Sequence, residues 1–95
     1  MKKFYNDITD ALTMLSGLES DLNIMDFNPN EKKVFYTIIS NEATKGEPSN
    51  ITEVVNQSGM SRSTVYKTLK KLSIAGIIDL SQSDEDKREF LINFS

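Results

Sequence analysis

Between residues 61 and 76 the sequence concentrates side chains that can contact a polyanion. This segment carries four cations and no acidic residue, so its net charge is +4, while the whole chain has a net charge of −3. The cations are Arg62, Lys67, Lys70 and Lys71. A nucleic-acid reader needs such a local basic footprint rather than a basic chain as a whole. The predicted chemistry of this segment is therefore contact with phosphates and base edges.

Hydroxyl and aromatic groups are interleaved with these cations. Arg62 can bind guanine or a phosphate in bidentate fashion, and Tyr66 can reach a phosphate or pack on a thymine methyl. Short hydroxyl side chains stand where a helix is predicted to begin, and free backbone N–H groups there favour a phosphate. We therefore predict DNA contacts from Ser61, Arg62, Ser63, Thr64, Tyr66, Lys67, Lys70 and Lys71.

Apolar residues in the same segment determine which side of the helix faces outward. Val65, Leu69 and Leu72 recur at the i, i+4, i+7 spacing of a buried helical face. A basic amphipathic helix taken alone is more often a solvated surface. The interpretation as a DNA reader gains weight because a turn, caps and a hairpin coincide around this helix.

The elements on either side predict a helix-turn-helix. Thr52 is the predicted cap of a short helix, and Gly59 supplies the backbone freedom of a sharp turn. Ser61 then caps a helix over 62–75, and Gly76 ends it. In such a motif the second helix lies in the major groove of DNA.

A β-hairpin is predicted to follow, with strands over 77–80 and 88–94 joined by a polar, acidic loop over 81–87. The fold class is therefore mainly α with a small β-hairpin. Its architecture is a winged helix-turn-helix of order α-α-α-α-β-β with a long N-terminal helix.

That N-terminal helix is predicted over 3–25 from apolar residues that alternate steps of four and three, which is a heptad seam. The seam can pack on the core of its own chain or on the same helix of a second chain. We expect both roles, with dimer contacts from Phe4, Ile8, Ala11, Leu15, Leu18 and Leu22. Residues 1–26 would form this dimerisation helix, and 27–95 would form the DNA-binding domain.

The second helix is predicted to begin at Pro29, with Asn28 as its cap and Glu31 at the capping-box position. It should end near Asn41, and 43–49 should form a loop. Its buried face is predicted to consist of Val34, Phe35, Ile38 and Ile39, and its exposed side of Lys32, Lys33 and Tyr36.

With these motifs in place, the chain resembles the MarR family of bacterial winged-helix transcription regulators over roughly residues 28–95. The similarity lies in ITEVVNQSGMSRSTV at 51–65, KTLKKL at 67–72, AGII at 75–78, and the acidic-then-arginine wing DEDKR at 84–88. The resemblance implies that Arg88, with Lys87 beside it, approaches the minor groove and that Asp86 orients the guanidinium. Members of that family usually continue into C-terminal helices that complete a dimer. The N-terminal seam is expected to replace them here.

The composition disfavours other classes of protein. The chain has no histidine and no cysteine, and it shows no phosphate-binding loop, so no enzyme activity, metal site or cofactor is expected. The sequence contains neither a run of about 18 apolar residues nor a secretory signal, so we expect no membrane span and a cytoplasmic location.

The function predicted from these features is a sequence-specific transcription regulator that binds double-stranded DNA as a homodimer. Two alternatives use the same fold. One is a protein-interaction module, which the net negative charge favours, and the other is a plasmid or phage replication or partition factor. The sequence identifies no small-molecule effector.

Overall fold

The computed structural model describes residues 2–95, which form four helices and a three-stranded antiparallel sheet. The elements in chain order are α1 (Lys2–Asp21), α2 (Pro29–Lys45), β1 (Ser49–Asn50), α3 (Ile51–Ser58), α4 (Arg62–Ile74), β2 (Ile78–Gln82) and β3 (Phe90–Phe94). The predicted fold class, mainly helical with a winged helix-turn-helix, is confirmed. None of the described helices is both long and apolar enough to cross a membrane.

The sheet has one strand more than the predicted hairpin. β3 lies between β1 and β2, and Ser49 and Asn50 pair with Ile92 and Leu91. The loop predicted over 43–49 is wrong at Ser49, which lies in this strand, because a strand so short shows no alternation of polar and apolar side chains. Its pairing ties the hairpin to the segment that precedes α3.

α2 begins as predicted and ends later. The Asn28 side chain accepts a hydrogen bond from the Glu31 N–H at 2.8 Å, and the Glu31 carboxylate accepts one from the Asn28 N–H at 3.0 Å. The helix continues to Lys45, and Gly46 ends it with a φ of 73°. The helix passes the predicted end at Asn41 and stops where the Gly46 N–H donates to the Glu42 carbonyl at 2.8 Å.

One core joins α2, α3, α4 and the sheet. Its buried apolar residues are Ile24, Phe27, Val34, Phe35, Ile38, Ile51, Val54, Val65, Leu69, Leu72, Ile78 and Ile92. Ile39 was expected among them, but 39% of it is exposed because it lies on the side of α2 that turns toward α1. Lys32 and Tyr36 were expected to be exposed, yet both are partly buried against the end of α1.

α1 joins this body only near its C-terminal end through the polar contacts of Glu19. Its carboxylate accepts a hydrogen bond from Lys32 Nζ at 3.0 Å and another from the Tyr36 hydroxyl. The bond from Tyr36 and the contact with Lys32 lower the pKa of Glu19. Burial, reinforced by the adjacent Glu19, raises the pKa of Tyr36 to about 12. Between Lys2 and Asp21 no residue is buried.

Candidate nucleic-acid interface

The turn between α3 and α4 sets the direction of the basic helix. Gly59 follows α3 with a φ of 71°, a left-handed conformation that glycine adopts without steric cost. The buried Ser58 hydroxyl accepts a hydrogen bond from the Met60 N–H at 3.2 Å, and Met60 packs against the core. The turn is therefore held from inside the domain, and its outer side is left free.

Asn50, rather than the predicted Thr52, caps α3. Its side chain accepts a hydrogen bond from the Glu53 N–H at 2.8 Å, and the Glu53 carboxylate faces the Asn50 N–H at 3.4 Å. Asn50 and Glu53 have the spacing of a capping box, which is the signal that identifies this helix start. The Thr52 hydroxyl instead donates to Glu89 at 3.0 Å and so ties α3 to the base of the hairpin.

The two faces of α4 separate as predicted. Val65, Leu69 and Leu72 are buried in the core, and the Thr68 hydroxyl is buried with them and donates to the Thr64 carbonyl at 2.8 Å. The opposite face exposes predicted DNA-contacting side chains, namely Arg62, Ser63, Tyr66, Lys67 and Lys70. The body of the domain thus presents this basic face to solvent.

The hydroxyl groups at the start of α4 have different roles. Ser61 caps the helix by accepting a hydrogen bond from the Thr64 N–H at 3.2 Å. The Ser61 hydroxyl also donates to Thr64 Oγ1 at 2.9 Å and lies 3.2 Å from Ser63 Oγ. Ser61 and Thr64 therefore bond to each other, and the exposed Ser63 is the hydroxyl best placed to meet a ligand.

Lys71 lies in an environment unlike that of the other cations of α4. Its ammonium is 2.7 Å from Glu31 Oε2 and 3.0 Å from Oε1, and it lies 5.4 Å from the centre of the Phe27 ring. The Glu31 side chain is only 2% exposed, whereas that of Lys71 is 38% exposed. This ion pair links the start of α2 to the last turn of α4.

The Glu31 carboxylate is held in its charged form despite its position. Burial opposes ionisation, but the hydrogen bond from Lys71 and the one from the Asn28 N–H outweigh it, so the pKa of Glu31 lies below its ordinary value. Sequence reasoning identified Glu31 only as a cap. No sequence signal connects it with a lysine 40 residues away.

In the hairpin, Arg88 and Asp86 make the contact that the family resemblance implied. The Arg88 Nε donates to Asp86 Oδ1 at 3.3 Å, and the Arg88 backbone N–H donates to the same oxygen at 3.0 Å. The Arg88 side chain is 91% exposed, and the neighbouring Lys87 is exposed too. Glu89, bonded to Thr52, fixes this part of the hairpin against α3.

The hairpin tip and α3 carry acidic side chains. Asp84 and Glu85 are exposed at the tip of the hairpin, and Glu53 forms an ion pair with Lys45 at the start of α3. Across residues 2–95, no three histidine, cysteine or acidic side chains are grouped as a metal site would require. The candidate surface for a polyanion is therefore the outer face of α4 together with the cations of the hairpin.

A family model matches residues 22–91, which cover α2 to α4 and most of the hairpin. Its description is sugar-specific transcriptional regulator TrmB. No curated protein sequence matches the chain.

Solved structures with the same fold are those of transcription regulators, at low sequence identity. PcaV from Streptomyces coelicolor, solved with its natural ligand, has a TM-score of 0.64 and 16% identity over 93% of this chain and 60% of its own. AbfR bound to DNA has a TM-score of 0.62 and 18% identity, over 98% of this chain and 68% of its own. MarR has a TM-score of 0.59 and 14% identity, over 99% of this chain and 64% of its own. The chain spans about 60 to 68% of the length of these proteins.

Proposed function

Because the chain belongs to the TrmB family of transcriptional regulators, we propose that it binds double-stranded DNA with α4 in the major groove and the hairpin near the minor groove. The observation that carries this proposal is the exposed basic face of α4, held on a helix-turn-helix whose other face is the domain core. A helix presented in this way has its N-terminal residues directed at base edges.

Different side chains of α4 would contact the bases and the phosphates. Arg62 and Lys67 lie on the exposed face within the first two turns, where they can reach bases. Ser63 and Lys70 would bind phosphates, which position the protein and make binding depend on salt. Lys71 would act indirectly, because its pair with Glu31 fixes α4 against α2.

The hairpin would supply a second contact. Arg88 and Lys87 are its cations, and the contact with Asp86 restricts the directions in which the Arg88 guanidinium can point. Such an arginine suits the narrow, electronegative minor groove of A·T-rich DNA. The exposed acids at the hairpin tip would limit how far the wing follows the phosphate backbone.

We further propose that the protein acts as a homodimer through α1 and that it works without catalysis, in the cytoplasm. A single domain of this size offers a small DNA interface, whereas a dimer reads two half-sites about one helical turn apart. The exposed apolar seam of α1 supports this assembly.

The test is fluorescence anisotropy with a labelled duplex of about 30 base pairs, long enough for two half-sites and selected from a random pool by the protein itself. Replacing Arg62 or Lys67 with alanine should weaken binding by about 1–3 kcal/mol and relax the sequence preference. Replacing Lys70 with alanine should weaken binding to all sequences and lower the salt slope by about 1.

Lys33→Ala is the matched control, because Lys33 is an exposed lysine on α2 outside the basic face. It should leave both affinity and salt slope unchanged. The proposal fails if the wild-type protein shows no salt-dependent binding, or if the Arg62 and Lys67 variants bind as the control does.

A further inference from the structure

The seam of α1 is an apolar surface that the described part of the chain leaves uncovered. Phe4, Ile8, Leu18 and their neighbours are between 37% and 72% exposed, and no residue from Lys2 to Asp21 is buried. An isolated helix of this length is only marginally stable in water, and most helical stability in proteins comes from packing an apolar face. The helix therefore requires a covering partner.

The two halves of this seam differ in shape. The N-terminal half is a bare ridge on which Phe4 is 69% and Ile8 is 54% exposed. The C-terminal half lies beside α2 and forms a groove lined mainly by apolar side chains, with Glu19 and Tyr36 at its side. The groove residues include Leu15, Leu18, Leu22, Phe35 and Ile39. When a second copy lies antiparallel to the first, the ridge of each copy faces the groove of the other.

We propose that two copies of the chain pair through α1 in antiparallel orientation, the ridge of each lying in the groove of the other. The proposal deepens the homodimer proposed above. Heptad positions pair a with d across an antiparallel seam. The spacing of the seam residues then gives three repeated layers, which are Phe4 with Leu22, Ile8 with Leu18, and Ala11 with Leu15 of the second copy. Each layer combines a residue of the ridge half with one of the groove half.

A parallel pair fits these side chains poorly. It would place Ala11 against its own copy, which leaves a gap in the middle of the seam. It would also set the two grooves face to face at one end, with no ridge to fill either of them. The antiparallel layers instead place the small Ala11 against Leu15 in the centre.

The charges at the ends of α1 favour the same orientation. The first turn carries Lys2 and Lys3, and the last turn carries Asp21, so each end has the charge that its own helix dipole opposes. In the antiparallel pair, the lysines of one copy lie beside the C-terminal end and Asp21 of the other. Parallel pairing would bring like charges together at both ends.

The chain contains no cysteine, so introduced thiols report the orientation without background. Two single variants, Phe4→Cys and Leu22→Cys, are oxidised separately and as an equal mixture, and disulfide-linked dimers are measured on a non-reducing gel. The antiparallel pair predicts that the mixture forms a Phe4–Leu22 cross-link and that each variant alone remains largely uncross-linked. A parallel pair predicts cross-links in each variant alone.

Leu12→Cys provides a second measurement, because Leu12 lies next to the central layer and should meet its own copy across the dimer axis. Thr13→Cys, on the outer side of the helix, is its control. Cross-links in the separate Phe4 and Leu22 variants, or an absence of cross-links in both the mixture and the Leu12 variant, would overturn the proposal. The experiment contains no DNA, so its failure is distinct from a failure of the proposed function.

Discussion

α1 and α4 are both amphipathic helices, yet the chain covers the apolar face of only one of them. In α4, Val65, Thr68, Leu69 and Leu72 are buried, and the polar face is the candidate interface. In α1 no residue is buried, and the apolar face is the exposed one. The difference shows that hydrophobic spacing identifies the apolar face of a helix but not whether the same chain covers it.

The physical reason lies in what surrounds each helix. α4 packs against α2, α3 and β2, which come from the same domain and meet on one side of it. α1 extends away from this body and is tied to it by Glu19, Lys32 and Tyr36 near its end. α4 should therefore control whether the domain folds, and α1 should control what the folded domain assembles into.

The largest expected effect compares one leucine from each helix. Leu69→Ala should destabilise the domain by about 2–5 kcal/mol, because it leaves a cavity in a packed core. Leu18→Ala should change the unfolding of the monomer by less than about 0.5 kcal/mol, because 51% of Leu18 is exposed. Urea denaturation of dilute protein measures the first effect, and analytical ultracentrifugation should show the weaker dimer of the second. A large loss of monomer stability in Leu18→Ala would remove the distinction between the helices.

A smaller effect is expected for the two adjacent lysines of α4. Lys71→Met should cost about 1–3 kcal/mol, because it leaves the buried Glu31 carboxylate without its cation. Lys70→Met should change stability by less than about 0.5 kcal/mol but should weaken DNA binding. Thermal unfolding and anisotropy separate the two effects. Equal effects of both variants on stability would show that the Glu31 pair does not position α4.

The two carboxylates that anchor the helices should respond differently to acid. The pKa of each is lower in the folded protein than the ordinary value of 4.5, so the unfolded chain takes up protons first as the pH falls below that value. Stability from both groups is thus present above the ordinary value and lost as the pH falls through the folded pKa. Glu31→Gln should flatten the acid dependence of domain stability. Glu19→Gln should flatten it less, because Glu19 ties only α1 to the domain, and urea denaturation at several pH values measures both effects.

The smallest expected effect concerns the phenol at the α1 joint. Tyr36→Phe removes the hydrogen bond to Glu19 and should cost no more than about 1 kcal/mol, since Lys32 still holds the carboxylate. When Tyr36→Phe is combined with Phe4→Cys or with Leu22→Cys, the cross-linking pattern should match that of the same cysteine variants with Tyr36 intact. A shift in that pattern would show that Tyr36 sets the direction of α1 and not only its attachment.

Features set by neighbouring residues could be predicted from the sequence. The cap at Asn28, the turn at Gly59, the cap at Ser61 and the stop at Gly76 each depend on residues within one helical turn. The buried face of α4 followed from its helical spacing for the same reason. These local features were sufficient to predict the winged helix-turn-helix.

Features that depend on distant residues could not be predicted in this way. β1 exists because Ser49 and Asn50 pair with a strand more than 40 residues later. Lys71 was expected to face a phosphate, but its environment depends on the buried Glu31, whose role as a cap gave no sign of a second partner. The exposure of Ile39 likewise depends on where α1 leaves the domain.

The excess of positive charge on the outer face of α4 would also govern how the protein finds a DNA site. A net charge of −3 repels DNA at long range, so only encounters that present α4 and Arg88 are productive. Because the surface has few cations, few counterions are released when the protein binds DNA of random sequence, so non-specific binding is weak. We expect the protein to search DNA through brief non-specific binding events rather than by long one-dimensional sliding. Dissociation from non-cognate duplexes in stopped-flow experiments should accordingly be fast even at low salt.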